Sequence, residues 1–324
     1  LSWYGLRGSN GVILVTTKLG RQGKAVINYT FDGSAATLNN KPKLLDAADY
    51  AREINKVRLA QNGNGAQPQP IFSDAEISAF QQNGGTDWVD AVYRTAYTQN
   101  HQVSVSGGSE KVTYLVSGAY LNQQGILINS AYDRYSIRAN FKGEIVKWVS
   151  FGANLSTAKE KAKSSVCGGN TNYPANPIIA APSFSPTIPI YDSVGNYSAA
   201  ELRYANPTLW NPVASAKEPI INNGTIHNNI NAYLEFKLLE GLTLKVTGGA
   251  ILTNIDDYNF YNNKTFTGLA KNGSGNIFTD NNTYFQNSNI LTYDKTINKS
   301  HFTITAVAEQ KYTKDFNSAI NASD

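Results

Sequence analysis

Val149-Ser150-Phe151-Gly152-Ala153-Asn154-Leu155-Ser156 sorts by parity, with Val149, Phe151, Ala153 and Leu155 alternating with Ser150, Gly152, Asn154 and Ser156. The stretch just upstream behaves the same way. Tyr135, Ile137, Ala139 and Phe141 alternate with Arg134, Ser136, Arg138 and Asn140. Successive side chains of a strand point to opposite faces, so each stretch is a strand with one apolar and one polar side. Two such strands joined by a tight turn near 143–146 form a hairpin. Repeated along a chain, with tight turns at one end and long excursions at the other, the pattern specifies a membrane β-barrel wall with lipid outside and water inside.

Working outward, similar strands are expected near 26–34, 99–107, 111–122, 132–143, 147–158, 225–237, 242–255, 284–294 and 299–312. Short turns fall at 107–111, 143–146, 239–241 and 296–298, and longer connections at 35–98, 123–131, 159–224 and 256–283. That asymmetry is the one expected of outer-membrane barrels. Strands of about 11 to 13 residues exceed the usual soluble length of about 5 to 6 and are long enough to cross a tilted hydrocarbon layer. An odd, open set of about nine strands leaves edges that lipid cannot satisfy, so the barrel is expected to continue beyond Asp324. The first long connection carries helical signals. Asp46 stands as an N-cap before Ala48, Ala51, Ile54 and Val57, and Ser73-Asp74-Ala75-Glu76 has the form of a capping box.

Composition fits this fold class, an all-β membrane barrel present in part. Charged residues make up 16% of the 324-residue chain, below the usual quarter, and there are 19 tyrosines, the residue that populates bilayer interfaces. The formal net charge of +4 is small and no Lys/Arg run suggests a nucleic-acid partner. Cys167 is the one cysteine, which excludes an internal disulfide and a cysteine-based zinc site. No apolar run approaches the length of a transmembrane helix.

No catalytic constellation emerges. His101, His227 and His301 lack metal-ligand spacing, there is no Gly-x-Ser-x-Gly elbow, and the Asp256-Asp257 pair alone is a weak calcium signal. No metal, cofactor or enzymatic activity is expected. Arg134, Arg138, Asn140, Asn154, Glu235 and Lys245 lie on the polar parity of their strands. A charge facing lipid at mid-depth costs about 2 to 4 kcal/mol, so these residues are expected to face the lumen, where they either contact solute or plug or simply hydrate the wall. Tyr173, Tyr191, Tyr197, Tyr204 and Trp210 sit among Asn, Ser and Pro in the longest excursion. Flat rings beside amides suit the apolar face and hydroxyl rim of a sugar, and equally suit packing of the loop against a lid.

The opening Tyr4-Gly5-Leu6-Arg7-Gly8-Ser9-Asn10-Gly11-Val12-Ile13-Leu14-Val15-Thr16-Thr17-Lys18 resembles the end of the plug domain in SusC-like TonB-dependent outer-membrane transporters. The resemblance continues through Lys43-Leu44-Leu45-Asp46-Ala47, Thr86-Asp87-Trp88, Arg94-Thr95-Ala96, Gln99-Asn100-His101, Ser104-Val105-Ser106-Gly107-Gly108 and Tyr120-Leu121-Asn122-Gln123-Gln124-Gly125-Ile126. Trp3, Leu6 and Ser9 depart from the residues usual at their places. The resemblance implies that residues 1–20 end a plug and 21–324 begin a barrel of about 22 strands. It implies import of oligosaccharides or peptides, a SusD-like surface lipoprotein as lid, and a TonB pull on a plug that Arg7 either helps hold to the wall or merely stabilises by capping a local carbonyl. The competing reading is a secreted carbohydrate-binding or adhesive β-sandwich, which would bury the apolar parity against a second layer.

Overall fold

The computed structural model describes residues 18–60, 68–165, 175–201 and 208–324. Arg7, the plug-like opening through Thr17, Cys167, Tyr173 and Tyr204 lie outside the described residues. Nine antiparallel strands form one sheet whose spatial order is the chain order. They are β1 (Gly23–Ala36), β2 (Ala96–Gly108), β3 (Val112–Gln124), β4 (Ala131–Val146), β5 (Val149–Ser164), β6 (Ile220–Leu239), β7 (Leu242–Tyr261), β8 (Ser274–Ile297) and β9 (Ser300–Ser323). This is the wall of a partial β-barrel, and all nine expected strands are present.

Register carries the parity of each strand into its neighbour. Phe141 pairs with Ala153 and Ala139 with Leu155; Leu155 in turn faces Ile230, and Ala153 faces Ala232. One surface of the sheet is thereby predominantly apolar from Ile27, Tyr29 and Phe31 on β1 to Ile304 on β9, interrupted on β8 by Asn287 and Asn289, which share it with Phe285 and Leu291. No second layer covers that surface among the described residues: Ile27 is 72% exposed, Ile137 57% and Ile304 65%. A sandwich would have hidden these side chains.

The strands exceed the sequence expectation at their loop ends. β5 runs on to Ser164, β6 begins at Ile220, β7 ends at Tyr261, and β8 and β9 span 24 residues each. The turn expected at 143–146 is instead Lys147–Trp148, because β4 continues past Gly143 through an irregularity between Glu144 and Val146. At the same end of the sheet, Gly241 adopts φ 79° and Asn298 φ 55°, left-handed conformations that Gly and Asn reach at low cost in a tight turn.

The long connections fold into a compact cap with its own core. α1 (Ala47–Ala60) starts where Asp46 Oδ1 accepts from the Asp49 N–H at 2.8 Å, and α2 (Asp74–Asn83) starts with the expected Ser73/Glu76 capping box. Helices also form where none was expected: α3 (Trp88–Val92), α4 (Pro177–Ala180), α5 (Pro212–Lys217) and α6 (Phe266–Leu269). Trp88, Val89 and Val92 pack against Leu127, Ala180, Phe184, Leu209 and Val213, so residues far apart in sequence close one cluster. Trp88 is 2% exposed, meets Phe184 edge-on at 4.6 Å and donates its indole N–H to the Ser185 carbonyl at 2.8 Å. The cap is therefore held like a small globular core, not as loose loops.

Candidate functional site: the polar wall and its cap

Opposite the apolar surface, the other parity lines up polar side chains across strands. Asn140 pairs with Asn154, then Asn231, Gly249, Gln286 and Lys311 in one row. A second row runs from Arg138 through Ser156, Asn229, Ile251 and Tyr284 to Thr313. Glu235 pairs with Lys245 on the same face, and Arg134 pairs with Glu160. The six residues singled out on β4 to β7 thus share one surface, because antiparallel register preserves face.

Their local geometry differs. Arg134 Nε lies 3.4 Å from Glu160 Oε1. The Lys245 ammonium sits 4.2 Å from the Tyr233 ring centroid. Tyr233 lies across Gly152, where any Cβ would come within 2.2 Å of the ring. Asn154, Asn231, Tyr233, Lys245, Thr247 and Gln286 line a concavity of about 340 Å³. Tyr233, Gln286 and Glu309 escaped the sequence reading although their parity marks them; Glu309 accepts from Gln286 Nε2 at 2.7 Å and from Ser288 Oγ at 3.2 Å. Such a wall offers amide, hydroxyl, ammonium and carboxylate groups to a hydroxyl- or amide-rich solute. Among the described residues, no group of three or more His, Cys, Asp and Glu could hold a metal ion.

The loop aromatics have mostly structural partners. Tyr197 donates to Glu218 Oε1 at 2.9 Å, and Glu218 Oε2 accepts from Asn262 at 2.7 Å, so one carboxylate joins two loops. Burial, and then the hydrogen bond to Glu218, push the Tyr197 phenol well above its usual range. Trp210 donates to the Lys264 carbonyl at 2.9 Å and meets Phe266 edge-on at 6.1 Å. Tyr191 leans on Tyr197 at 5.2 Å and stays exposed. Elsewhere in the cap, Lys41 bridges Asp87 and Asp90, each at 2.6 Å. These hydrogen bonds raise the Lys41 ammonium. Partial burial pushes the Asp87 carboxyl up, yet Lys41 and the Asp90 and Val89 amides hold it below its ordinary value.

A long-stranded meander, apolar and uncovered on one side, polar on the other, and capped at one end, defines the wall of a membrane β-barrel. No family model matches the chain. It is 30% identical over 295 residues to TonB-dependent receptor P3 of Formosa agariphila, covering 90% of this chain and 27% of that protein. TonB-dependent receptor SusC of Bacteroides thetaiotaomicron is 25% identical over 288 residues, covering 80% of this chain and 26% of the other. The structure of the RagAB peptide importer in its closed-closed state superposes with a TM-score of 0.74 at 23% identity, over 99% of this chain and 38% of that one. Over nearly its whole length the chain is similar to TonB-dependent receptors, SusC among them. It spans about 27% of the first of these relatives.

Proposed function

We propose that the whole protein imports oligosaccharides or peptides across the outer membrane, powered through TonB and assisted by a SusD-like surface lipoprotein. In this reading residues 1–20 end the plug, residues 21–324 begin the barrel, and further strands satisfy the free edges of β1 and β9. The observation that carries it is the division of the sheet into an uncovered apolar surface and a continuous polar one. Lipid takes the first and the second borders an aqueous lumen. Asn140, Asn154, Glu235, Lys245, Arg138 and Arg134 then line the path a solute takes once the plug moves. Among the described residues Tyr191 is the loop aromatic with free area to meet solute or lid, as Tyr173 and Tyr204 are also proposed to do, while Tyr197 and Trp210 hold the cap in shape. Both relatives named TonB-dependent receptors support the energy source, and the polar wall suits sugar hydroxyls and peptide amides equally.

The test is uptake of labelled oligosaccharides and peptides by cells that carry the natural full-length protein, with and without TonB. Accumulation of one class that stops without TonB is the expected result. It should fall severalfold for Asn154→Ala combined with Lys245→Ala at unchanged surface levels. Uptake indifferent to TonB would overturn the reading.

A further inference from the structure

Beyond the transport path, one stretch of the outward surface carries charge where the apolar band ends. β5 reads Val149, Phe151, Ala153, Leu155 and Thr157 on its apolar parity, and then Lys159, Lys161 and Lys163 on the same parity, all exposed. The intervening Ala158, Glu160, Ala162 and Ser164 turn to the polar face, where Glu160 meets Arg134. At about 3.3 Å per residue and a tilt of about 40°, Lys159 stands roughly 28 Å from the Lys147–Trp148 turn, the height at which a barrel's apolar band of about 25 Å gives way to headgroups.

The neighbours mark the same level. Lys159 pairs with Tyr135, and Tyr135 stacks on Tyr120 at 4.8 Å; Tyr120 in turn stacks on His101 at 6.4 Å, an aromatic girdle running into the lysines. Lys161 faces Asp133 on one side and Gly224 on the other, and Lys163 faces Ala131 and Asn222. Asp133 already accepts from Asn122 at 2.7 Å and from the Tyr120 hydroxyl at 3.3 Å. Asp256 lies one strand beyond Gly224 in the Lys161 row, with no side chain between them. Among the described residues, none of the three lysines has an ion-pair partner within 4 Å.

We propose that Lys159, Lys161 and Lys163, with the Asn222 amide beside them, bind the phosphate groups of an anionic lipid headgroup in the leaflet on the cap side of the membrane. The long lysine stems lie along the girdle and carry the ammonium groups to headgroup level. Charge complementarity selects the occupant: a ladder of three cations at a bilayer interface matches a phosphorylated lipid, and each lysine near such a surface contributes about fivefold in binding. This rests on the membrane reading above.

The experiment uses the natural full-length protein in detergent and in nanodiscs. The probes are lipid A with two phosphates, the same lipid without phosphate, and inorganic phosphate; the variant carries Lys159→Gln, Lys161→Gln and Lys163→Gln. Heat-modifiable migration of both proteins reports an intact barrel, and its absence in the unmodified protein would overturn the membrane reading itself. With intact barrels, the expected result is phosphate-dependent retention of lipid A, reduced tenfold or more in the triple variant. Equal retention by variant and unmodified protein, or retention independent of lipid phosphate, would overturn the proposal. Saturable binding of inorganic phosphate that matches lipid A in affinity would also overturn it, by marking a free-anion site.

Discussion

Tyr233 can lie flat against the polar wall because residue 152 has no side chain. A Cβ there would sit 2.2 Å from the ring, so Gly152→Ala forces Tyr233 out and breaks its contact with Lys245. Overpacking of this kind costs about 1 to 3 kcal/mol. The variant is expected to lower the temperature of the heat-modifiability transition, while Gly152→Ala combined with Tyr233→Ala recovers part of the loss. Tyr197 makes a second residue-scale case. Its phenol is held above the ordinary value of about 10, so its contribution to loop stability is intact below about pH 10 and is lost as the pH rises through the folded-state value. An ultraviolet titration compared with Tyr197→Phe should show that the variant has lost a late-ionising tyrosine. Asp87 runs the other way: its contribution is present above about pH 4 and is lost as the pH falls through its depressed value.

Among the elements, the helices of the cap divide into those that announce themselves and those that do not. α2 has a complete capping box, and Ser73→Ala should cost about 1 kcal/mol of local stability, read as faster amide exchange confined to 74–83. α3, α4, α5 and α6 have between 4 and 6 residues each, too few to show helical periodicity, and the apolar residues of α3, α4 and α5 face a cluster assembled from distant loops. A ring in a polar loop likewise gives no sign of the partner it will meet, Glu218 for Tyr197 and the Lys264 carbonyl for Trp210. Trp88→Ala removes a fully packed indole and its hydrogen bond, a loss of about 3 to 5 kcal/mol concentrated in the cap. Protease should then cut the 36–95 and 165–219 connections while the strands stay protected. Cleavage spreading equally into β4 and β5 would show that cap and wall do not unfold separately.

For the whole molecule, the strands were legible wherever the two parities differed in polarity, as in Tyr135 to Phe141 and Val149 to Leu155. Legibility failed at the cap-side ends. Glu160, Lys161 and Ala162 on β5, or Asn281, Asn282 and Thr283 on β8, show no apolar parity, because beyond the band neither face meets hydrocarbon. Backbone pairing carries the strands on regardless, and the same extension exposed the lysine ladder that a strand ending near 158 would have hidden. The polar wall could be placed by parity alone, but which of its residues gather around one concavity could not, since that depends on register between strands.

Nitroxide labels on single cysteines from 135 to 141, in a Cys167→Ser background of the full-length protein in lipid, measure the division of faces directly. Positions 137, 139 and 141 should collide readily with oxygen dissolved in the bilayer, and 136, 138 and 140 with a water-soluble nickel reagent, while 135 stands at the headgroup interface. Oxygen and nickel accessibility that fail to alternate, or nickel access at 137 and 139, would contradict a lipid-facing wall.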